Sequence, residues 1–175
     1  IEMGDEVIST ILQIKPGETK NYKNKNIHLK AYINCEGDLI FDHCIINYNE
    51  ADNGNEIKLS NKANLTITNS IILCKEFDKN AFITCEGAGQ VTLDRNTFED
   101  CSHFIKSGSI CEFSMTNCKL HNCFEDFIDL DIGHDPSTCA IKNNVMIQDG
   151  LNPFYAKVEK YWMMRLISVN SFENN

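Results

Sequence analysis

At 175 residues, 42% hydrophobic and with a formal net charge of −9, the chain has the size of one domain and enough apolar content for a continuous core. The acidic balance excludes a nucleic-acid groove, because phosphate binding needs concentrated Lys and Arg; the one basic stretch, Lys15 to Lys30, reads as a solvated loop. No apolar run approaches the ~18 residues of a membrane span, and no secretory leader is visible.

In chain order, Val7-Ile8 and Ile11-Leu12-Gln13-Ile14 precede a turn at Lys15-Pro16-Gly17-Glu18. The repeat that follows, extrapolated back to residue 13, puts Lys15 and Lys20 at buried positions. A stacked core needs a cover at its end, so residues 1–26 are expected to form an N-terminal cap and residues 27–175 the repeat. The chain stops inside a repeat copy, Phe172-Glu173-Asn174-Asn175, which suggests a piece of a longer protein.

From Leu39 onward an eight-residue pattern recurs, with copies starting at 39, 65, 91, 113, 139 and 165 and steps of 26, 26, 22, 26 and 26. A fixed period of this size marks units that bury their apolar faces only by stacking. The third position (Phe41, Ile67, Leu93, Met115, Ile141, Ile167) and the eighth (Ile46, Ile72, Phe98, Leu120, Met146, Phe172) are apolar in every copy. Alternation with period two over β-branched-rich segments argues for a strand with one buried face. The sixth position (Cys44, Ser70, Asn96, Cys118, Asn144, Asn170) is small or polar, which implies a bend where stacked Asn side chains bond amide to amide.

A second strand motif lies between these copies: Ala31-Tyr32-Ile33-Asn34-Cys35-Glu36-Gly37 and Ala81-Phe82-Ile83-Thr84-Cys85-Glu86-Gly87 are near duplicates. Ile57, Ile83 and Ile105 each precede the next copy by eight residues, so the four residues missing from the short step come from between Phe98 and Ile105. With two or more strands per turn, a 22–26 residue period and an Asn-containing corner, residues 27–175 resemble the right-handed parallel β-helix of the pectate-lyase-like superfamily. The resemblance implies an all-β, single-stranded solenoid of about six rungs, on the order of 29 Å tall at about 4.8 Å per rung. The leucine-rich repeat has a similar period, but its consensus is absent.

The resemblance carries no catalytic set. Gly133-His134-Asp135 is not the superfamily's G-H-G, no R-I-K occurs, and with only Arg95 and Arg165 in the chain an arginine-based lyase mechanism is disfavoured. Outward positions offer weaker candidates. Stacking the second motif puts Lys58, Thr84, Lys106 and Asp129 in one column and Glu36, Ser60, Glu86, Gly108 and Asp131 in the next. Glu86 and Asp131 would lie two rungs apart, about 9.6 Å at the backbone and near the carboxylate separation of inverting glycosidases. Lys106 could hold an acidic sugar, although the net charge would repel anionic polymers such as pectate unless a metal ion bridged them. Outward Thr66, Thr68, Thr92, Ser114 and Thr116 offer a hydroxyl face.

Cys101-x-His103 and His121-x-Cys123 sit in equivalent places 22 residues apart and offer a Cys2His2 set for Zn²⁺, provided both segments are extended; packed thiols and surface His are the preferred reading. Cys35, Cys44, Cys85, Cys118 and Cys139 fall at packing positions, and the odd total of nine disfavours a full set of bridges. Reduced thiols and an intracellular setting are therefore expected. Tyr155, Tyr161, Trp162, Met163 and Met164 crowd the connection Leu151 to Arg165, a candidate partner surface. The functional expectation is a non-catalytic module that binds a carbohydrate or protein partner or spaces neighbouring domains, without a cofactor; a glycoside hydrolase or lyase using outward carboxylates is the alternative.

Overall fold

The computed structural model describes residues 2–48, 57–73, 81–87, 89–108, 111–123, 127–130 and 139–148, with the backbone of short strands at 156–157 and 171–173. The chain coils through three parallel sheets in turn. Strands β1 (Gly4–Ile8), β2 (Leu12–Ile14) and β3 (Thr19–Lys23) make the first circuit, and β4 (Lys25–Leu29), β5 (Ile33–Cys35) and β6 (Asp38–Asp42) the second. The third has β7 (Ile45–Asn47), β8 (Ile57–Ser60) and β9 (Asn64–Thr68); the fourth has β10 (Ile71–Leu73), β11 (Ile83–Glu86) and β12 (Gln90–Asp94). Then come β13 (Thr97–Glu99), β14 (Ile105–Ser107) and β15 (Glu112–Thr116), followed by β16 (Lys119–His121), β17 (Ile128–Asp129) and β18 (Cys139–Lys142). Strands β19 (Val145–Ile147), β20 (Ala156–Lys157) and β21 (Ser171–Glu173) complete the described stack.

Sheet A, sheet B and sheet C contain eight, seven and six strands among the described residues, close to the six rungs expected. The fold is an all-β parallel solenoid with three strands per turn. Each eight-residue copy from Leu39 to Met146 is a sheet C strand, a two-residue corner and the start of a sheet A strand; the second motif is sheet B. No helix among the described residues is long and apolar enough to cross a membrane.

Phe41, Ile67, Leu93, Met115 and Ile141 stack in register down sheet C, and Ile46, Ile72, Phe98, Leu120 and Met146 down sheet A. Ile33, Ile57, Ile83, Ile105 and Ile128 do the same in sheet B. All are buried, each worth roughly 1.5–3 kcal/mol of apolar burial. Phe82, Phe104 and Phe127 add an aromatic stack beside sheet B, with centroids 5.5 and 5.1 Å apart. Eight described cysteines are buried thiols. Burial pushes Cys118 up to about 11 and Cys139 up to about 12, so both stay protonated at neutral pH.

Length changes fall in both links that flank sheet B; between sheets B and C the separation is six residues from Ile33 to Leu39, eight from Ile57 to Leu65 and eleven from Ile128 to Cys139. Ile72 aligns with Phe98 and Ile83 with Ile105, so the four-residue deletion falls between Phe98 and Ile105 as its sequence position implied. The corner from sheet C to sheet A is constant instead. Its first residue is left-handed in every described rung: Asn24, His43, Asn69, Arg95, Asn117 and Asn143 have φ between 51 and 59°. This is the fifth repeat position; the sixth is the buried residue after the bend. Its side chain bonds main chain on the preceding rung rather than an amide above it. Cys44 N–H donates to Ser70 Oγ (3.0 Å), Ser70 N–H to Asn96 Oδ1 (3.0 Å), and Cys118 N–H to Asn144 Oδ1 (2.9 Å). Asn96 Nδ2 donates to Ile67 O (2.8 Å) and Asn144 Nδ2 to Met115 O (3.0 Å). The amide-to-amide expectation fails because the described neighbours of Asn96 in the column are Ser70 and Cys118.

The N-terminal segment is a rung of the same solenoid rather than a separate cap. Glu6 pairs with Ile27, Leu12 with Ile33 and Lys20 with Leu39, all in register. The end of a stack has solvent beyond it, which is why Glu6 and Lys20 can occupy columns that are apolar one rung later. Lys20 stays exposed, its Nζ 5.1 Å from the centre of the Tyr22 ring. Burial and the nearby Glu6 charge raise the Tyr22 hydroxyl to about 12. Gly37 locks this rung to the next: a Cβ there would overlap the main-chain oxygens of Lys15 and Glu18.

Candidate functional site

Sheet B gives its inward positions to isoleucine and leaves two outward positions per strand. One column runs Gln13, Asn34, Lys58, Thr84, Lys106, Asp129, and its backbone register continues to Lys157. The other holds Glu36, one residue past the Cys35–Leu59 pair, then Ser60 and Glu86, which pair directly. The first column matches the sequence expectation, and the second matches it from Glu36 through Glu86. Asp131 lies outside the described residues, so the Glu86–Asp131 pairing has no geometry here.

Four successive rungs of this face enclose a cavity of about 450 Å³ lined by Gln13, Asn34, Glu36, Lys58, Leu59, Ser60, Thr84 and Glu86. The outward side chains that line it are amides, hydroxyls, two carboxylates and one ammonium, while Leu59 is buried and faces inward beneath it. Glu36 and Glu86 are exposed and two rungs apart, about 9.6 Å at the backbone. Lys58 Nζ rests 4.7 Å from the centre of the Tyr32 ring, a cation–π contact that fixes the ammonium at the cavity. Lys106 and Asp129 continue the same column beyond the cavity.

Sequence reasoning placed Glu36, Lys58, Ser60, Thr84, Glu86, Lys106 and Asp129 on this face but did not place Gln13 or Asn34 there. Treating the N-terminal segment as a cap hid the rung that supplies Gln13. The signal was present in the alternation Leu12-Gln13-Ile14, which has the same in–out–in pattern as Ile33-Asn34-Cys35.

The Cys and His candidates do not converge. His103 and Asn122 have φ of 47° and 52°, so neither C-x-H nor H-x-C is extended. Cys101 and Cys123 point inward, their thiols donating to Ile72 O (3.8 Å) and Phe98 O (3.6 Å). His121 turns outward, its Nδ1 2.7 Å from Glu99 Oε2. Among the described residues no group of three or more His, Cys, Asp and Glu side chains is placed to hold a metal ion.

The hydroxyl face is partly consumed by the fold. Thr68 Oγ1 donates to Asp42 Oδ1 and Thr116 Oγ1 to Asp94 Oδ1, both at 3.0 Å. Asn69 and Asn117 add amide donors to the same carboxylates at 3.2 and 3.0 Å. Asp94 is held below the usual carboxylate range by Asn117 first, then by Thr116 and Arg95, against a burial effect in the other direction. At Asp42 burial is the largest single influence and acts upward, yet Asn69, Thr68 and His43 together leave it lowered. The aromatic and methionine side chains between Leu151 and Arg165 lie outside those the structure describes.

Comparison with protein-family models, curated proteins and solved structures finds no match for this chain.

Proposed function

We propose that this solenoid is a non-catalytic module that binds a carbohydrate on the outer face of sheet B, an architecture of the pectate-lyase-like kind used for recognition. The observation that carries the reading is the 450 Å³ cavity built from polar side chains of four successive rungs. Amides and hydroxyls of Gln13, Asn34, Ser60 and Thr84 can both donate to and accept from sugar hydroxyls, and Glu36, Glu86 and Lys58 supply charge-assisted bonds. Lys106, Asp129 and Asp131 extend the binding surface beyond the cavity. A peptide partner is less well served, because the side chains that line the cavity are polar or charged and the interior strands of sheet B are paired on both edges. The eight buried thiols support an intracellular, reducing setting.

A second reading, a glycoside hydrolase, is favoured by the two-rung separation of Glu36 and Glu86, which places two carboxylates across one cavity; Glu86 with Asp131 is the other pairing it allows. A glycan array followed by calorimetry tests both. The module reading expects saturable binding that Glu86→Gln weakens and no new reducing ends after prolonged incubation. Turnover abolished by Glu86→Gln would establish the hydrolase instead, and an array without any bound glycan would remove both.

A further inference from the structure

From Glu36 to Asp129 the described outward residues of sheet B include one charged side chain per rung, and the sign alternates. Glu36 is followed by Lys58, then Glu86, Lys106 and Asp129, while their companions Asn34, Ser60, Thr84 and Gly108 are uncharged. Such alternation could serve only to keep like charges apart in stacked rungs. That explanation predicts ion pairs between neighbouring rungs, and none of Glu36, Glu86, Lys106 or Asp129 forms one among the described residues. The acidic and basic side chains start from different columns in the lower rungs, about 7 Å apart along the strand, and exposed pairs contribute little even when formed. Elsewhere in this protein stacked charges do find partners, as Glu99 with His121 and Asp5 with His28. Glu36 and Glu86 are exposed on this face, and together with Lys58, whose ammonium also rests on the Tyr32 ring, they line one cavity.

We infer, resting on the carbohydrate reading, that the ligand is a zwitterionic saccharide whose successive units alternate a free amine with a carboxylate and which lies along the stack. Opposite charges recur every rung, about 4.8 Å, and like charges every second rung, about 9.6 Å. A linked chain of pyranose units advances by a similar distance per unit, so an amino sugar can face Glu36 or Glu86 while an acidic sugar faces Lys58 or Lys106. A purely anionic polymer would meet Glu36, Glu86 and Asp129, and a purely cationic one Lys58 and Lys106. Each loses at alternate rungs what it gains at the others.

The test uses the full chain and four probes in calorimetry: an oligosaccharide alternating glucosamine and glucuronic acid, its N-acetylated form, its carboxyl-reduced form, and a neutral glucose oligomer of equal length. The parent should bind about tenfold or more tightly than each of the other three, the scale of lost hydrogen bonds to charged groups, and should weaken as salt rises. Glu86→Gln should cost affinity for the parent and the carboxyl-reduced form but not for the N-acetylated form; Lys106→Gln should show the reverse selectivity. Both side chains are exposed, so unchanged melting temperatures verify the fold. Equal affinity for all four probes would overturn the charge pattern while leaving carbohydrate binding intact. Binding to none of them, while the array identifies a different glycan, would also overturn the inference; an empty array would take the underlying reading with it.

Discussion

The corner between sheets C and A and the outer face of sheet B are both rich in polar side chains, and they spend them in opposite ways. At the five described corners from His43 to Asn143 the same two positions recur, one left-handed and one buried, and the polar groups of the second are tied to main chain one rung away. On sheet B the outward residues change identity and sign from rung to rung, and Glu36, Glu86, Lys106 and Asp129 form no ion pair among the described residues. In a solenoid, polar columns that repeat are building the stack, whereas polar columns that vary are free to specify a ligand.

The largest effect should follow from breaking the corner. Asn96→Leu removes the acceptor for Ser70 N–H and the donor for Ile67 O inside the core. Urea denaturation should show a loss of about 2–4 kcal/mol, from two buried groups left without partners. A loss below about 1 kcal/mol would mean that water replaces the amide, and the corner would no longer differ from an ordinary turn.

Acid should act on the corner next. Asp42 and Asp94 have folded-state values below their unfolded ones. Their contribution is therefore fully present above the unfolded value of about 3.9 and is lost as pH falls through the lower folded value. The urea midpoint should hold from neutral pH to about 5 and then drop, and Asp94→Asn should flatten that drop. A midpoint that falls identically in the variant would show that the Thr116 and Asn117 donors do not favour the charged form.

Smaller still is the backbone term. Arg95 holds φ at 56° where Asn69 and Asn117 occupy the same position of neighbouring rungs, so Arg95→Asn should raise stability by a few tenths to about 1 kcal/mol. Loss of stability would assign more weight to the 2.8 Å contact between Arg95 Nε and Asp94. The smallest effect belongs to sheet B: Glu86→Gln should leave stability within about 0.5 kcal/mol. A larger loss would make Glu86 part of the scaffold and erase the contrast with the corner.

Much of this was legible in the sequence. The apolar columns, the position of the four-residue deletion and the two outward columns of sheet B all follow from a period that fixes register by itself. The turn at the fifth repeat position was not, because His43, Asn69, Arg95, Asn117 and Asn143 share a backbone conformation rather than a side-chain type. The first rung was misread because Lys20 breaks the apolar column of Leu39, and only at the end of a stack does solvent accept such a residue. The cavity was half visible: its carboxylates and Lys58 stood in the predicted columns, but its Gln13 wall required that misread rung.

Backbone amide chemical shifts followed during titration with a glycan selected on the array test most directly the claim that sheet B is the ligand-binding face. The account predicts shifts concentrated at Asn34, Glu36, Lys58, Ser60, Thr84 and Glu86, with Asn69, Asn96 and Asn117 unmoved at the corner. Shifts centred on the corner or on sheet A, with the sheet B amides unchanged, would contradict it.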